Sequence, residues 1–170
     1  MQGNNISVDI YDNRLENSNL GLPCINLDRF IDDCQSRNEK LADLMRRLGI
    51  CEEKGSGFDK VITHIETYQL PPPDIRTGQV RTTVILFAPK ELIEMDRGDK
   101  LRACYQHCVL NYVIGRQTTN RAVRKRFGLR DRQSNVASRL IGDAIDEDLI
   151  KLADPNNPSR RYAHYVPYWA

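Results

Sequence analysis

Apolar residues recur at two different spacings between residues 6 and 89. In "ISVDIYDNRLENSN" (6–19) apolar and polar positions alternate around an Asp12-Asn13 pair, which predicts a β-hairpin. In "NEKLADLMRRLG" (38–49) and "FDKVITHIETYQL" (58–70) the apolar positions return every three or four residues, which predicts two helices. The apolar run in "GQVRTTVILFAP" (78–89) predicts a buried strand. The order of hairpin, helix, glycine turn, helix and strand indicates an α+β layer that is incomplete.

The remainder of the chain follows a different pattern. Helical spacing in 99–117, 118–129 and 130–150 predicts three helices, and Gly128 is expected to end the second. The segment "LIKLADPNNPSRRYAHYVP" predicts two strands joined by a polar tip. Three helices followed by a hairpin is the order of a winged helix-turn-helix domain. We therefore predict two domains, at 1–92 and 97–170.

Charge separates the same two regions. The chain of 170 residues has a net charge of +2, but residues 1–95 carry −4 and residues 96–170 carry +6. The sequence contains no run of about 18 apolar residues and begins without a secretory signal, so neither membrane contact nor export is expected. Five cysteines without a CxxC pair indicate free thiols and predict a cytoplasmic protein without a metal site.

Basic residues concentrate in the second and third predicted helices. Between Arg116 and Arg139 there are eight Lys or Arg residues and one acidic residue, Asp131. In a winged helix the third helix enters the major groove of DNA and the hairpin reaches the flanking backbone. We therefore predict duplex DNA as a partner, with Arg132, Gln133 and Asn135 directed at base edges and Arg121, Arg124, Lys125, Arg160 and Arg161 at phosphates. The full set of predicted DNA-binding residues is Thr118, Thr119, Arg121, Arg124, Lys125, Arg130, Arg132, Gln133, Ser134, Asn135, Ser138, Arg139, Arg160 and Arg161.

A glycine turn precedes the second predicted helix. In "EEKGSGFDK" (52–60) a Gly-x-Gly pair enters the helix, where backbone N–H groups can hold an anion. Glycine and serine are also ordinary turn and capping residues. The turn therefore has two interpretations, a phosphate-binding loop or the start of a helix.

Three short motifs carry a resemblance to a known family: Asn19-x-Gly21-x-Pro23, Arg37-Asn38 and Glu52-x-x-Gly55-x-Gly57. At these spacings, residues 6–90 resemble the C-terminal part of the ATPase-like module that follows Schlafen-type AlbA domains in bacterial transcriptional regulators. That module is related to the C-terminus of the RecG helicase and is similar to the histidine-kinase and gyrase type of ATP-binding fold. The resemblance implies nucleotide-binding positions at Asn19, Gly21, Gly55, Ser56 and Gly57.

The sequence departs from this family in two respects. Leu20 stands where the family usually has proline, and no residues here correspond to the helix that supplies the magnesium-binding Asn and the general-base Glu. We therefore predict no catalytic residues and no cofactor in this chain, which we expect to be a fragment, with ATP bound only in the full-length protein. The predicted fold class is α+β: an incomplete histidine-kinase/gyrase-type ATPase-like segment followed by a winged helix-turn-helix domain.

Three functional hypotheses follow. The leading hypothesis is the C-terminal part of a DNA-binding transcriptional regulator. The second is a nucleotide-binding or nucleotide-hydrolysing protein in which Glu52 would act on water. The third is a protein-interaction module that forms a homodimer through an open strand edge or through the winged helix.

Overall fold

The computed structural model describes residues 6–51, 56–156 and 163–170, which fall into two compact units. Unit 1 comprises residues 1–61 and 73–88, and unit 2 comprises residues 62–72 and 89–170. The elements of unit 1 are β1 (Ser7–Tyr11), β2 (Arg14–Leu20), α1 (Glu39–Arg47), β3 (Asp74–Thr77) and β4 (Arg81–Phe87). The helix α2 (Ser56–Thr67) contributes residues to both units. The elements of unit 2 are α3 (Arg97–Val113), α4 (Asn120–Arg126), α5 (Ser134–Asp146), β5 (Ile150–Leu152) and β6 (Tyr165–Pro167).

Unit 1 is built on an antiparallel sheet with the strand order β1-β2-β4-β3. The predicted hairpin is confirmed, with Tyr11 opposite Arg14 across the turn. The predicted strand at "RTTVILF" is also confirmed as β4, and its Ile85 is buried. The short strand β3 was not predicted, and it pairs Ile75 with Val84.

The helix α1 forms where the sequence predicts it, but its apolar face is not buried. The side chain of Asn38 caps the helix by accepting a hydrogen bond from the backbone N–H of Leu41, at 3.0 Å. Leu41, Leu44 and Leu48 are exposed by 52%, 53% and 64%, and the helix contains no buried residue. Periodicity therefore located the helix without revealing which face lies in a core.

Unit 2 has a core built mainly from its three helices. Nine residues of α3 are buried, and α5 contributes Ala137, Leu140, Ile141 and Ala144. The helix α4 ends at Gly128, which has a φ of +62°, and the N–H of Leu129 returns to the carbonyl of Arg124 at 2.9 Å. This left-handed position favours glycine, so the predicted end of α4 is confirmed.

A short β-hairpin follows α5. Strands β5 and β6 pair with Ile150 opposite Pro167 and Leu152 opposite Tyr165. Tyr165 also forms an isolated antiparallel bridge with Thr118, the residue two positions before α4. The region before α4 therefore shares a strand partner with the hairpin.

Aromatic residues at the end of the chain pack against α3. Trp169 lies edge-on to Tyr112, with ring centroids 5.4 Å apart, and its indole N–H donates to the hydroxyl of Tyr105 at 3.1 Å. The ring of Tyr168 lies 6.3 Å from that of Tyr105.

Among the helices of the described residues, none combines the length and apolarity needed to cross a membrane.

Candidate nucleic-acid interface

The start of α4 is tied to the first turns of α5 by one amide side chain. Thr119 caps α4 by accepting a hydrogen bond from the N–H of Ala122 at 3.2 Å. The Nδ2 of Asn120 donates to the backbone carbonyl of Ser134 and to the hydroxyl of Ser138, both at 2.9 Å. These bonds fix the angle at which α5 presents its outer face. Asn120 was not among the predicted residues, since a single polar residue after a cap carries no distinctive sequence signal.

Arg124 is held inside this arrangement rather than left free. Its Nε donates to Oδ1 of Asn120 at 3.1 Å, and its Nη1 pairs with Oδ1 of Asp131. The Arg124 side chain is only 17% exposed, whereas that of Asp131 is fully exposed. Arg124 was predicted to contact phosphate, but Asp131 offsets its charge here, so its main effect is to position the turn between the helices.

Five other predicted basic residues lie exposed on α4, the following turn and the first half of α5: Arg121, Lys125, Arg130, Arg132 and Arg139. Within the described ranges, none of these five forms an ion pair with an acidic side chain. The acidic residues Asp146, Glu147 and Asp148 are exposed at the opposite end of α5. The outer surface of the two helices is therefore positive near the turn and negative at the far end, a distribution that attracts a polyanion to the turn.

The polar side chains at the start of α5 are partly occupied by local hydrogen bonds. The Oε1 of Gln133 accepts from the N–H of Arg130, and the Oδ1 of Asn135 accepts from the N–H of Val136, both at 2.9 Å. A bidentate contact to adenine needs both the oxygen and the nitrogen of an amide side chain. In the conformation observed, the amide oxygens of Gln133 and Asn135 are therefore already engaged in local hydrogen bonds.

Thr118 belongs to the core and not to an exposed surface. It is 1% exposed, its hydroxyl accepts from Nδ2 of Asn111 at 3.2 Å, and its carbonyl accepts from the N–H of Tyr165 at 2.8 Å. The prediction that Thr118 contacts DNA is incompatible with this burial. The neighbouring Thr119 acts as a helix cap, and Ser138 is exposed while bonded to Asn120.

Arg126 is a second residue of the basic stretch that does not contribute an exposed positive charge. It was counted in the basic stretch, yet it is 4% exposed and donates from Nη2 to the carbonyl of Leu70 at 2.8 Å. Burial lowers the pKa of Arg126, and the carboxylate of Glu66 partly opposes that effect. The predicted wing residues Arg160 and Arg161 lie outside the described residues.

The predicted nucleotide-binding positions are in unit 1. Gly21 has a φ of +110° just after β2, its N–H donates to the carbonyl of Val80 at 2.7 Å, and Asn19 lies exposed within β2. Ser56 begins α2 and Gly57 lies exposed in its first turn, whereas Gly55 lies outside the described residues. A shallow pocket of about 340 Å³ is lined by the loop from Leu22 to Ile25 and by Gly57, but not by Asn19 or Gly21.

Among the described residues, no cluster of three or more His, Cys, Asp or Glu side chains is placed to hold a metal ion. His107 instead bonds through Nδ1 to both carboxylate oxygens of Glu66, at 2.9 and 3.0 Å. Its Nε2 lies 3.0 Å from Nδ2 of Asn111, so this histidine is held in a buried polar chain.

Comparison with known proteins identifies the first part of the chain. Residues 3–86 match the family described as "Putative ATP-dependent DNA helicase recG C-terminal". The match supports the ATPase-like module, related to the RecG C-terminus, that the motifs of this segment predicted. A search of the curated proteins finds no match. Among solved structures, the chain is similar to the DIP2311 protein from Corynebacterium diphtheriae, with a TM-score of 0.36 and 13% identity; the similarity covers 91% of this chain and 44% of that protein.

Proposed function

We propose that this chain is part of a DNA-binding transcriptional regulator in which unit 2 is a winged helix that binds duplex DNA. The observation that carries the proposal is the exposed basic surface formed by Arg121, Lys125, Arg130, Arg132 and Arg139 around the turn between α4 and α5. Clustered cations on one face are the electrostatic footprint of a protein that binds the phosphate backbone.

The order and pairing of the elements support a winged helix. In such domains the segment between the first two helices pairs with the last strand of the wing, and the third helix enters the major groove. Here the bridge between Thr118 and Tyr165 supplies that pairing, and α5 takes the place of the third helix. The helices α4 and α5 are joined by residues 127–133, a turn that contains Gly128.

The side chains divide into two proposed roles. Arg132, Gln133 and Asn135 contact base edges in this proposal, and Arg132 and Asn135 are exposed at or near the start of α5. Arg121 and Lys125 on α4, with Arg160 and Arg161 in the wing, contact phosphates. Asn120 and Arg124 position α5 against α4, through the bonds described above.

Fluorescence anisotropy with a labelled duplex over a series of salt concentrations tests the proposal. Binding is expected at about 50 mM salt, with a steep loss as the salt concentration rises. Lys125→Ala is expected to weaken binding to every duplex and to lower the salt slope by about one unit. The control is Arg47→Ala on α1, which removes an exposed arginine, ion-paired with Asp43, outside the proposed interface. Absence of binding at low salt, or equal losses in both variants, contradicts the proposal.

A second comparison separates base contacts from phosphate contacts. Arg132→Ala and Asn135→Ala are expected to relax the preference for a selected duplex over a scrambled one. The cost is about 1–3 kcal/mol for a bidentate contact of Arg132 and about 1 kcal/mol for the single amide contact of Asn135. Arg161→Ala is expected to weaken both duplexes alike. If Arg161→Ala changes the preference and Asn135→Ala does not, the wing is the reader.

A second function is supported by the family match of residues 3–86. Unit 1 would bind ATP in the full-length protein, which we place among regulators with a Schlafen-type AlbA domain. Asn19, Gly21 and the Gly55–Gly57 turn would border the nucleotide, with the helix N-terminus of α2 facing the phosphates. Equilibrium dialysis with labelled ATP tests binding, and loss of turnover in Glu52→Gln would add hydrolysis to it. Sedimentation at micromolar concentration separately tests for the homodimer that a palindromic site would require.

A further inference from the structure

Unit 2 contains a cleft whose lining shares only Gln133 and Arg139 with the proposed DNA-binding residues. Its volume is about 1070 Å³, and it is lined by residues 89–95 and the first turns of α3, by Tyr68 and Gln69, by residues 126–129 and by one side of α5 that includes Arg139. A volume of this size is in the range of small-molecule sites. The apolar part of the lining includes Leu92, Leu101, Phe127, Leu129, Val136 and Leu140. The lining also holds five cationic and three acidic side chains, so the cleft favours a molecule with an apolar body and a negative charge.

Arg126 borders this cleft and is the most deeply buried of its cations, at 4% exposure. Only Nη2 of its guanidinium has a hydrogen bond, to the carbonyl of Leu70 at 2.8 Å. Among the described residues, Nε and Nη1 find no hydrogen-bond partner although both atoms are shielded from solvent. Buried donors in folded proteins are nearly always satisfied by protein groups, by ordered water or by a ligand, so Nε and Nη1 of Arg126 have the capacity to bind a further acceptor.

The nearest carboxylate compensates Arg126 only in part. Oε1 of Glu66 lies 3.7 Å from Nε of Arg126, beyond hydrogen-bonding distance. Both oxygens of Glu66 are already engaged by Nδ1 of His107, at 2.9 and 3.0 Å. A second anion at Arg126 would therefore complete the hydrogen bonding of the guanidinium, and Glu66 could keep its bonds to His107.

Gln69 shapes the wall beside Arg126. It is a non-glycine residue with a φ of +52°, and its side chain lies against Gly128. A Cβ at position 128 would come within 2.7 Å of Oε1 of Gln69, so the missing side chain makes room for this amide in the lining. The lining of the cleft therefore includes the amide of Gln69 and the guanidinium of Arg126 together with apolar side chains.

We infer that the cleft binds a small organic carboxylate with an apolar body, and that the guanidinium of Arg126, whose Nε and Nη1 are shielded in the ligand-free cleft, turns to donate to the carboxylate. A charge-assisted hydrogen bond of this kind is stronger than a neutral one, and the surrounding apolar lining excludes water from it. A single negative charge fits better than the double charge of a phosphate, because Glu66 already supplies part of the compensation. The inference does not depend on DNA binding, since none of its contacts is with a nucleic acid.

Calorimetry with 1-naphthoate and its neutral isostere 1-naphthamide tests the inference on the whole chain. The two probes share an apolar body and differ in charge, so the ratio of their affinities measures recognition of the carboxylate. We expect 1-naphthoate to bind about tenfold tighter or more. In Arg126→Gln this preference is expected to disappear, while Arg126→Lys retains part of it. The matched control is Arg116→Gln, which removes an exposed arginine that does not line the cleft and is expected to leave the preference unchanged.

A measurement on the unmodified protein guards against variants that fail to fold. The ¹⁵N resonances of the Arg126 side chain are expected to shift on addition of 1-naphthoate and to stay in place with 1-naphthamide. Equal affinity for the two probes, no binding of either, or an Arg126 signal that ignores the carboxylate overturns the inference. A preference that survives in Arg126→Gln also overturns it, because the carboxylate would then be held by another cation of the cleft.

Discussion

Units 1 and 2 bury their apolar side chains to very different extents. Of the seventeen buried hydrophobic residues in the described part of the chain, fifteen lie in unit 2, and only Ile31 and Ile85 lie in unit 1. Of the twenty large hydrophobic residues that are exposed there, thirteen lie in unit 1. Unit 1 is therefore held mainly by the hydrogen bonds of its four-stranded sheet, whereas unit 2 is held by a side-chain core.

Removal of the same apolar side chain is therefore expected to cost different amounts of stability in the two units. In unit 2 an isoleucine fills a packed interior, where its removal leaves a cavity. On β1 of unit 1, Val8 and Ile10 are exposed by 54% and 80%. Their removal costs contacts along the sheet surface but leaves no cavity. Four predictions measure the contrast, beginning with the largest expected effect.

The first prediction compares two isoleucines that are truncated in the same way. Ile141→Ala, at 3% exposure in α5, is expected to lower the free energy of unfolding by about 2–5 kcal/mol. Ile10→Ala is expected to lower it by less than about 1 kcal/mol, because only strand propensity and surface packing are lost. Urea unfolding followed by circular dichroism measures both. Similar losses of unfolding free energy in the two variants would contradict the inference that only unit 2 is held by a side-chain core.

The second prediction compares two buried hydroxyl groups. Thr118→Val keeps the shape of the side chain but removes the acceptor for Asn111, and is expected to cost about 1–3 kcal/mol. Ser18→Ala in β2 removes the acceptor for Arg81 and Thr83, which are only partly buried and can turn to water, so its cost is expected to stay below about 1 kcal/mol. The same unfolding measurement distinguishes them. A larger loss of unfolding free energy in Ser18→Ala than in Thr118→Val would show that an unsatisfied polar group costs more in unit 1 than in unit 2.

The third prediction concerns the caps of two helices. Thr119→Ala removes the cap of α4 and is expected to lower the free energy of unfolding by about 1 kcal/mol. Asn38→Ala removes the cap of α1, which buries no residue, so fraying is expected to change the free energy of unfolding by less than about 0.5 kcal/mol. Amide hydrogen exchange is expected to speed up in α1 all the same. Unchanged exchange in α1 would mean that the helix is held by more than its cap.

The fourth prediction changes no residue. Burial raises the pKa of Cys104 and of Cys108 to about 12, whereas Cys24, Cys34 and Cys51 are exposed. A raised pKa keeps a thiol protonated and unreactive at every pH well below 12, so a maleimide at about pH 8 is expected to label three of the five cysteines. Peptide mass spectrometry identifies them. Rapid labelling of Cys104 or Cys108 in native buffer would indicate that unit 2 opens readily.

The sequence predicted the elements better than their environments. Period-2 and helical patterns located β1, β2, β4 and all five helices, because such patterns are local. The strand β3 was missed, since its four residues follow three prolines and become a strand only by pairing with β4. The bridge between Thr118 and Tyr165 joins residues far apart in the chain and leaves no local pattern.

For the candidate interface, composition likewise located the basic cluster but did not show which of its residues are exposed and unpaired. Composition identified the basic cluster, and Arg121, Lys125, Arg130, Arg132 and Arg139 are indeed exposed. It could not separate them from Arg126, although helical spacing carried a signal: position 126 follows the buried Val123 by three residues and shares its face. The pairing of Arg124 with Asp131 depends on the path of the turn, which composition does not describe.

The fluorescence of Trp169 reports on the packing of only one of the two units. It is the sole tryptophan of the chain, it belongs to unit 2, and its indole N–H bonds to Tyr105 while its ring lies against Tyr112. Selective excitation of tryptophan therefore follows the packing of the chain end on α3 and is silent about the sheet of unit 1. Energy transfer from the two tyrosines adds a distance-sensitive signal from the same place. Emission and circular dichroism recorded on one sample would thus follow different parts of the chain as it melts.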